Sequence, residues 1–197
     1  QSSARRGALV IGLDISDTLS LDPVRVYQYS NPLPTRAAYD GLVTYDAGDN
    51  ITIKPALATE WAYLPDGKTI RFKLRQGVKF ASGNPVTAED VRFTFTRHLN
   101  IKDQPFQYIS HLEAVNVVDA NTIDLVLKDP TLPIISIIAT PAFGIEEKAL
   151  VVANGGTDAP DAKEKDKATD WLNNNSAGAG PYRLTGWQRN QQIQMVR

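Results

Sequence analysis

The chain has 197 residues, which is long enough to bury a hydrophobic core and to form one domain or two small ones. Its formal net charge of -1 gives no electrostatic reason to expect binding to nucleic acid or to an anionic membrane. It contains no cysteine, which excludes disulfides, thiolate nucleophiles, iron-sulfur clusters and cysteine-ligated zinc.

The first part of the chain combines an apolar run with a polar loop. Residues 9–13 (LVIGL) predict a strand buried on both faces, and residues 14–23 predict a loop closed by a proline. A helix is expected from Pro34 to about Leu42, followed by a hairpin over residues 44–54. The start lacks both an initiator methionine and an apolar signal core, so we expect a chain already trimmed of its targeting segment.

The stretch from 61 to 95 carries the clearest local signals. Ile70, Phe72 and Leu74 alternate with polar and charged residues, which predicts a half-buried strand, and Asp66-Gly67 just before it is a tight-turn dipeptide. The aromatic residues of this region and of the C-terminal part are interpreted as core: Trp61, Phe72, Phe80 and Trp187.

A capping box follows this strand. Thr87 is a threonine N-cap with Asp90 three places on, which predicts a helix that begins at Ala88. Val91, Phe93 and Phe95 also alternate, which leaves a strand possible, but the cap favours a helix that buries Val91, Phe95 and Leu99.

The second half of the chain is predicted to form shorter helices and strands. Residues 101–111 predict an irregular polar and aromatic loop, and residues 115–118 and 123–127 predict a second hairpin, with Ile123, Leu125 and Leu127 facing the core. A short buried helix is expected over 134–139 with Pro133 at its first position, and an amphipathic helix over 146–154. The charged run 157–167 is interpreted as a solvated loop and helix start, with a helix continuing to Leu172 and a strand over 192–196.

No residue pattern indicates catalysis, a metal or a cofactor. His98 and His111 lack the spacing of paired metal ligands, and Ser110-His111 lacks the G-x-S-x-G turn of a serine nucleophile. The glycine-rich residues 178–181 run into a proline rather than a helix N-terminus, which excludes a phosphate cradle. Acidic pairs such as Glu146 and Glu147 are explained equally well by surface solvation.

Beyond these local patterns, the chain resembles the family 5 extracellular solute-binding proteins, the peptide, oligopeptide and nickel receptors of ABC importers. The order "LA-x-x-W", "DG-x-x-x-x-F-x-LR-x-G-V-x-F-x-x-G" and "T-A-x-DV" is matched by residues between 57 and 91. The matching residues are Leu57, Ala58, Trp61, Asp66, Gly67, Phe72, Leu74, Arg75, Gly77, Val78, Phe80, Gly83, Thr87, Ala88, Asp90 and Val91. Residues 20–23 (SLDP), 39–43 (YDGLV) and 177–184 (AGAGPYRL) resemble further family elements, with Ala179 in place of the usual threonine.

The resemblance implies a mixed α/β fold, a periplasmic-binding-protein-like lobe of the type II, peptide-binding class. Residues 1–35 and 170–197 would belong to the first α/β lobe and share a sheet, and 36–169 would form an inserted subdomain of hairpins and short helices. Because family members are more than twice as long, we expect a fragment from which the second lobe is absent. The apolar surface exposed by that absence favours self-association.

The implied function is that of an extracytoplasmic, exported solute-binding component of an ABC importer. It would capture peptides or another small polar solute and deliver it to the permease, with no reaction catalysed and no cofactor, metal or nucleic acid bound; a lipid anchor stays undetermined. In the resemblance, the positions four to six places beyond Pro23 line the ligand cleft, which makes Tyr27, Gln28 and Tyr29 candidate ligand residues, with Phe143 a further candidate. A solute-sensing module that signals to a membrane or regulatory partner remains the alternative.

Overall fold

The computed structural model describes residues 7–25, 27–28, 30, 32–49 and 51–197. Within these ranges the fold is mixed α/β, with short helices connecting antiparallel strands. The strands are β1 (Val43–Tyr45), β2 (Ile53–Pro55), β3 (Ala58–Tyr63), β4 (Thr69–Leu74), β5 (Leu112–Asp119), β6 (Thr122–Leu127), β7 (Arg183–Gln188) and β8 (Gln192–Val196). The α-helices are α1 (Pro32–Ala38), α2 (Ala88–Ile101), α3 (Phe106–Ile109), α4 (Ile134–Ile138), α5 (Lys148–Ala153), α6 (Ala162–Lys165) and α7 (Thr169–Leu172), and Pro141–Phe143 forms one 3-10 turn.

A four-stranded antiparallel sheet in the order β3-β4-β6-β5 carries the main core. The predicted half-buried strand is confirmed, since Ile70 and Phe72 of β4 are fully buried while the charged residues between them point away. The second predicted hairpin is confirmed as well: β5 pairs with β6, and Ile123, Leu125 and Leu127 are all fully buried. Gly67, with φ of +70°, makes the turn between β3 and β4 in a conformation that favours glycine.

Helix α2 packs across this sheet and begins where the capping box predicts. The Thr87 backbone N–H donates to Asp90 Oδ2 at 2.9 Å, and the reciprocal contact of the box is also present. Val91 and Phe95 enter the main core, and Phe93 enters a second cluster with Val151 and other apolar residues. The helix therefore buries apolar residues on two faces, which explains why its aromatic residues also suggested a strand.

The strand predicted over residues 9–13 is wrong. Residues 7–25 contain no strand, and Leu9 and Val10 are each 84% exposed. A strand needs a neighbour for its N–H and C=O groups, and none of the described strands lies beside this run. The sheet expected to join the two ends of the chain is not formed either, because β7 and β8 pair only with each other in the described structure.

The two ends of the chain nevertheless meet through polar contacts. Asn173 Oδ1 accepts hydrogen bonds from Ser20 Oγ at 2.7 Å and from the Leu21 N–H at 2.8 Å. Close packing of the Gly178-Ala-Gly180 segment on the end of α1 adds to this junction, because a Cβ on Gly178 would lie 2.1 Å from the Ala38 carbonyl oxygen. The division into residues 1–35 with 170–197 and an inserted 36–169 stays a prediction.

Several element boundaries differ from the predictions. The first helix covers Pro32–Ala38 rather than 34–42, and the helix expected over 146–154 is only Lys148–Ala153. The irregular loop 101–111 contains the short helix α3. Pro133 caps α4 instead of occupying its first position.

Burial also differs from the predictions at a few side chains. Phe72 and Phe80 are core residues as predicted, whereas Trp61 and Trp187 are half-buried. Asp166 is buried, so the charged run 157–167 is not wholly a solvated loop. None of the helices in the described ranges has the length and apolar character needed to cross a membrane.

Candidate functional site

Two tyrosines from distant parts of the chain stack at the surface. Tyr27 follows the N-terminal polar loop, and Tyr108 lies in α3 between the long helix and β5. Their ring centroids are 4.7 Å apart with the planes tilted by 36°. Tyr27 is 41% exposed and Tyr108 is 37% exposed, so each presents aromatic surface to solvent. Exposed aromatic side chains on irregular segments of a rigid scaffold are typical of ligand-binding surfaces.

Two glutamines tie the same segments together beside the tyrosines. Gln104 Oε1 accepts a hydrogen bond from the Tyr27 N–H at 3.2 Å and another from Gln28 Nε2 at 2.9 Å. The other polar atom of the Gln28 side chain, Oε1, is buried and has no hydrogen-bond partner among the described residues. We call Tyr27, Gln28, Gln104 and Tyr108 the Tyr27 site. Of the sequence-predicted residues, it unites Tyr27 and Gln28, whereas Tyr29 lies outside the described residues.

Local backbone geometry places Gln104 and Tyr108. Lys102 ends α2 in the left-handed conformation, with φ of +60°, and its N–H donates to the His98 carbonyl. The chain then turns, and the Asp103 carbonyl accepts from the Phe106 N–H at 2.9 Å as α3 begins. The Asp103 carboxylate in turn accepts from Arg25 Nη1 at 2.9 Å, which links this turn to the segment just before Tyr27.

A buried ionic cluster lies beneath the N-terminal segment. Arg97 of α2 is fully buried, and its guanidinium makes two hydrogen bonds to each of the carboxylates of Asp22 and Asp166, at 2.7 to 2.9 Å. Its Nη1 also lies 3.0 and 3.1 Å from the two Glu146 oxygens. Arg25 adds a second cation, 3.2 Å from Asp166 Oδ1. Two cations thus face three buried carboxylates.

The pKa values of the cluster follow from its burial and its charges. Burial raises the pKa of Glu146 from its ordinary 4.5 to about 7, in spite of the attraction of Arg97. Burial opposes the charged form of Arg97, but the Asp22 and Glu146 carboxylates hold the pKa of Arg97 well above its ordinary value. Burial also opposes ionisation of Asp166, and its hydrogen bonds to Arg97 outweigh that effect and lower its pKa. These carboxylates are therefore bound to Arg97 and placed to hold the fold.

The remaining candidate residues are buried apart from the Tyr27 site. Phe143 is 1% exposed, with its ring stacked parallel to Phe95 at 6.3 Å between centroids and 5.1 Å from His98. Its predicted contact with ligand stays a prediction, to which this burial gives no support. His98 is fully buried, and burial together with the neighbouring positive charge of Arg97 lowers its pKa to about 3. The described residues contain no group of histidines and acids arranged to hold a metal ion.

Sequence reasoning missed half of the Tyr27 site and all of the ionic cluster. Gln104 and Tyr108 lay in a loop without periodicity, where the only available signal was the mixture of amide and aromatic side chains. The cluster had a clearer signal: Asp90, Thr94 and Arg97 share one face of α2 at helical spacing, and all three are buried. A stripe of buried polar side chains on a helix indicates partners from elsewhere in the chain.

Comparison with known proteins places this geometry in context. The family model "Bacterial extracellular solute-binding proteins, family 5 Middle" matches residues 52–197. The probable D,D-dipeptide-binding periplasmic protein DdpA of Escherichia coli K12 is 31% identical over 191 residues, which cover 95% of this chain and 35% of that protein.

Solved structures agree with this match. A periplasmic binding protein DppA from Helicobacter pylori, in complex with the peptide STSA, is 25% identical with a TM-score of 0.72 and covers 90% of this chain and 36% of that one. The binding protein AgaA from A. tumefaciens R10, in complex with agropinic acid, is 30% identical with a TM-score of 0.71. The match covers 89% of this chain and 33% of AgaA. The described structure is thus part of a periplasmic-binding-protein fold, and the chain spans about a third of the length of the proteins it matches.

Proposed function

The chain belongs to family 5 of the bacterial extracellular solute-binding proteins, and we propose that it forms part of the ligand cleft of an ABC importer's receptor. The receptor captures peptides or another small polar solute outside the cytoplasm and delivers it to the permease. Matched relatives include a probable D,D-dipeptide-binding protein and a structure that holds a tetrapeptide, which supports a peptide over other solutes. The agropinic acid complex keeps non-peptide solutes as the competing class.

The observation that carries this proposal is the composition of the Tyr27 site. Two exposed aromatic rings offer apolar surface, and the amide side chains beside them are uncharged. Gln28 Oε1 is a buried acceptor without a partner among the described residues, and a backbone N–H of a bound peptide would satisfy it. A peptide backbone alternates donors and acceptors, so an amide and aromatic surface suits it better than it suits a highly charged solute.

We attribute binding without a chemical step to this chain. Three of its buried carboxylates, those of Asp22, Glu146 and Asp166, are hydrogen-bonded to Arg97. The relatives that it matches are solute-binding proteins. Closure of a second lobe over the site would exclude water from the ligand, which is the usual route to tight capture by two-lobed receptors.

Calorimetric titration of the complete receptor tests the proposal. The probes are Ala-Ala-Ala, D-Ala-D-Ala, agropinic acid and a nickel-histidine complex. We expect a peptide to bind with a Kd of about 1 μM or tighter, and Tyr108→Ala to weaken that binding by roughly tenfold because it removes half of the aromatic surface.

Tyr63→Ala is the matched control for this variant, because Tyr63 is also exposed, at 50%, but lies on the edge strand β3. It should leave the Kd unchanged. Turnover of a probe without stoichiometric binding, or equal binding by Tyr108→Ala and the wild type, would contradict the proposal.

A further inference from the structure

Three residues of the Tyr27 site, all but Tyr108 in α3, lie in segments without regular secondary structure. Contacts other than those of a helix or sheet must therefore hold the two halves of the site in register. Residues 27–28 lie in an irregular connection, and Gln104 lies in the turn between α2 and α3. The direct contacts between them are the tyrosine stack and two hydrogen bonds that share one acceptor atom, Gln104 Oε1. Contacts of this kind contribute little individually, and exposed loops open locally at low cost.

We propose that the ion pair between Arg25 and Asp103 positions the Tyr27 site for its ligand. This inference rests on the proposed function. Arg25 stands two residues before Tyr27, and Asp103 stands directly before Gln104, so the pair joins both segments at the point where each enters the site. Its 2.9 Å contact is the shortest charged link between the two segments.

Arg25 is suited to this role because its guanidinium is fixed on the opposite side. Nε donates to Thr169 Oγ1, which is partly buried, and Nη2 lies 3.2 Å from Oδ1 of the buried Asp166, so the planar guanidinium is already oriented on this side. Thr169 Oγ1 in turn donates to Asp22 Oδ2 at 2.9 Å, which joins the guanidinium to the Arg97 cluster. Nη1 is the remaining nitrogen of the guanidinium, and it points to Asp103. Through this pair, the buried cluster that holds Arg25 also fixes the position of Asp103 in the turn between α2 and α3.

Asp103 is the better half of the pair to remove. Its side chain is 39% exposed, and among the residues that the structure describes its carboxylate contacts Arg25 alone. Loss of this carboxylate leaves Arg25 with Asp166 and Thr169, so the buried cluster keeps its contacts. Asp103→Ala should thus release the turn without unfolding the protein.

A matched control exists at an arginine of α2. Asp158 also lies in an irregular segment and pairs with an arginine, Arg92, at 2.9 Å, with its side chain 23% exposed. Within the described residues, Asp158 makes no hydrogen bond or ion pair with any residue of the Tyr27 site. Asp158→Ala therefore measures the general cost of losing one such surface pair.

The experiment uses the complete receptor and two measurements. The first needs no ligand: the exchange rate of the Tyr27 amide hydrogen, which is protected by Gln104, should rise by about fivefold in Asp103→Ala and stay unchanged in Asp158→Ala. The second is the Kd for Ala-Ala-Ala by calorimetry, which should weaken by about three- to tenfold in Asp103→Ala because a smaller fraction of the receptor has the site assembled. Asp103→Glu keeps a carboxylate within reach of Arg25 and should restore both values to within about twofold of the wild type.

The outcomes separate this inference from the proposed function. If Ala-Ala-Ala does not bind the wild type, peptide capture fails, and the exchange rate alone still decides whether the pair positions the segment. An unchanged Tyr27 exchange rate in Asp103→Ala would overturn the inference. So would equal losses of affinity in Asp103→Ala and Asp158→Ala, since these would show a general effect of stability.

Discussion

Replacement of Glu146 by glutamine should change how the stability of the fold depends on pH. Glu146 is fully buried against Arg97, and two arginines face three buried carboxylates in this cluster, so one proton would balance its charge. Burial accordingly raises the pKa of Glu146 from 4.5 to about 7. The folded state then holds this proton more tightly than the unfolded chain does. The resulting stabilisation is fully present below about pH 4.5 and is lost as the pH rises through about 7.

The size of this effect follows from the pKa difference. A group with these folded and unfolded pKa values changes the free energy of unfolding by roughly 2 to 3 kcal/mol between about pH 5 and about pH 8. Glutamine has nearly the same shape, is neutral at every pH, and keeps an oxygen that can accept from Arg97. Relative to the wild type, Glu146→Gln should therefore gain roughly 2 to 3 kcal/mol of stability on going from about pH 5 to about pH 8.

The titration of His98 changes the stability with pH in the opposite direction to that of Glu146, which gives the test a second pH window. Burial lowers the pKa of His98 from 6.5 to about 3, so its contribution is present above about pH 6.5 and is lost as the pH falls toward 3. Between about pH 4.5 and 6.5 the two groups oppose each other in the wild type. Without the Glu146 titration, the stability of Glu146→Gln should rise across this window by roughly 2 kcal/mol, whereas the contributions of the two groups cancel in the wild type.

Equilibrium urea denaturation of the 197-residue chain across this pH range is the assay. Glu147→Gln is the control, because Glu147 is the neighbouring buried carboxylate but receives its hydrogen bond from the Asn84 side-chain amide, at 2.6 Å, and not from Arg97. A difference shared by both variants would be assigned to the loss of a buried carboxylate in general and not to the contact of Glu146 with Arg97. The reasoning is refuted if Glu146→Gln and the wild type keep a constant difference in unfolding free energy at every pH.

Three further changes test separate parts of the fold. Thr87→Ala removes the N-cap of α2 and should lower the free energy of unfolding, measured by urea denaturation, by about 1 kcal/mol. No loss would mean that the capping box does not contribute to stability. Gly178→Ala places a methyl group 2.1 Å from the Ala38 carbonyl oxygen and should lower stability by about 2 kcal/mol or more, whereas Gly186→Ala, with open space around it, is the matched control. Val10→Asp should reduce self-association of the 197-residue chain in sedimentation velocity, because it places a charge in the exposed apolar run 9–13; equal association by the variant and the wild type would exclude that run as the contact.

The elements that the sequence predicted correctly are those whose signals are local. The capping box at Thr87 and the alternation along β4 involve residues within a few positions of each other, so nothing distant could override them. The strand over residues 9–13 failed for the opposite reason. The apolar run shows that these residues are suited to burial in a sheet. A strand also needs a partner strand to pair with, and the described structure contains none beside this run.

Buried charge accounts for other departures. The helix expected from Glu146 begins at Lys148 because Glu146 turns toward Arg97 and Glu147 toward the side chain of Asn84. Asp166 stood in a run of charges that suggested solvent exposure, and its pairing with Arg97 spans 69 positions of sequence. Composition and periodicity carry no information on such a pairing, because any acidic residue of the run could have served.

The sequence named two of the four residues of the Tyr27 site as candidates. The other two, Gln104 and Tyr108, were missed because their contacts are with residues far away in the sequence. Tyr27 and Gln28 were located by a family resemblance that counts from the "DP" of the N-terminal loop. Gln104 meets Tyr27 across 77 positions of sequence and leaves no trace in the local pattern. Only the three-dimensional fold could reveal that partner.

The polar face of α2 explains how an N-terminal segment without a strand is still held in place. Thr94 Oγ1 accepts from the Glu146 N–H at 2.9 Å, and Asp90 Oδ1 accepts from the Lys148 N–H at 3.0 Å, so the face fixes the approach to α5. Arg97, one turn further, fixes Asp22 of the N-terminal segment.

Apolar contacts are non-directional, whereas these hydrogen bonds specify the course of each connection. A buried ion pair adds little net stability, so conformational specificity is the role that fits this cluster. The segment that carries Tyr27 therefore depends on the helix, and not on a sheet, for its position.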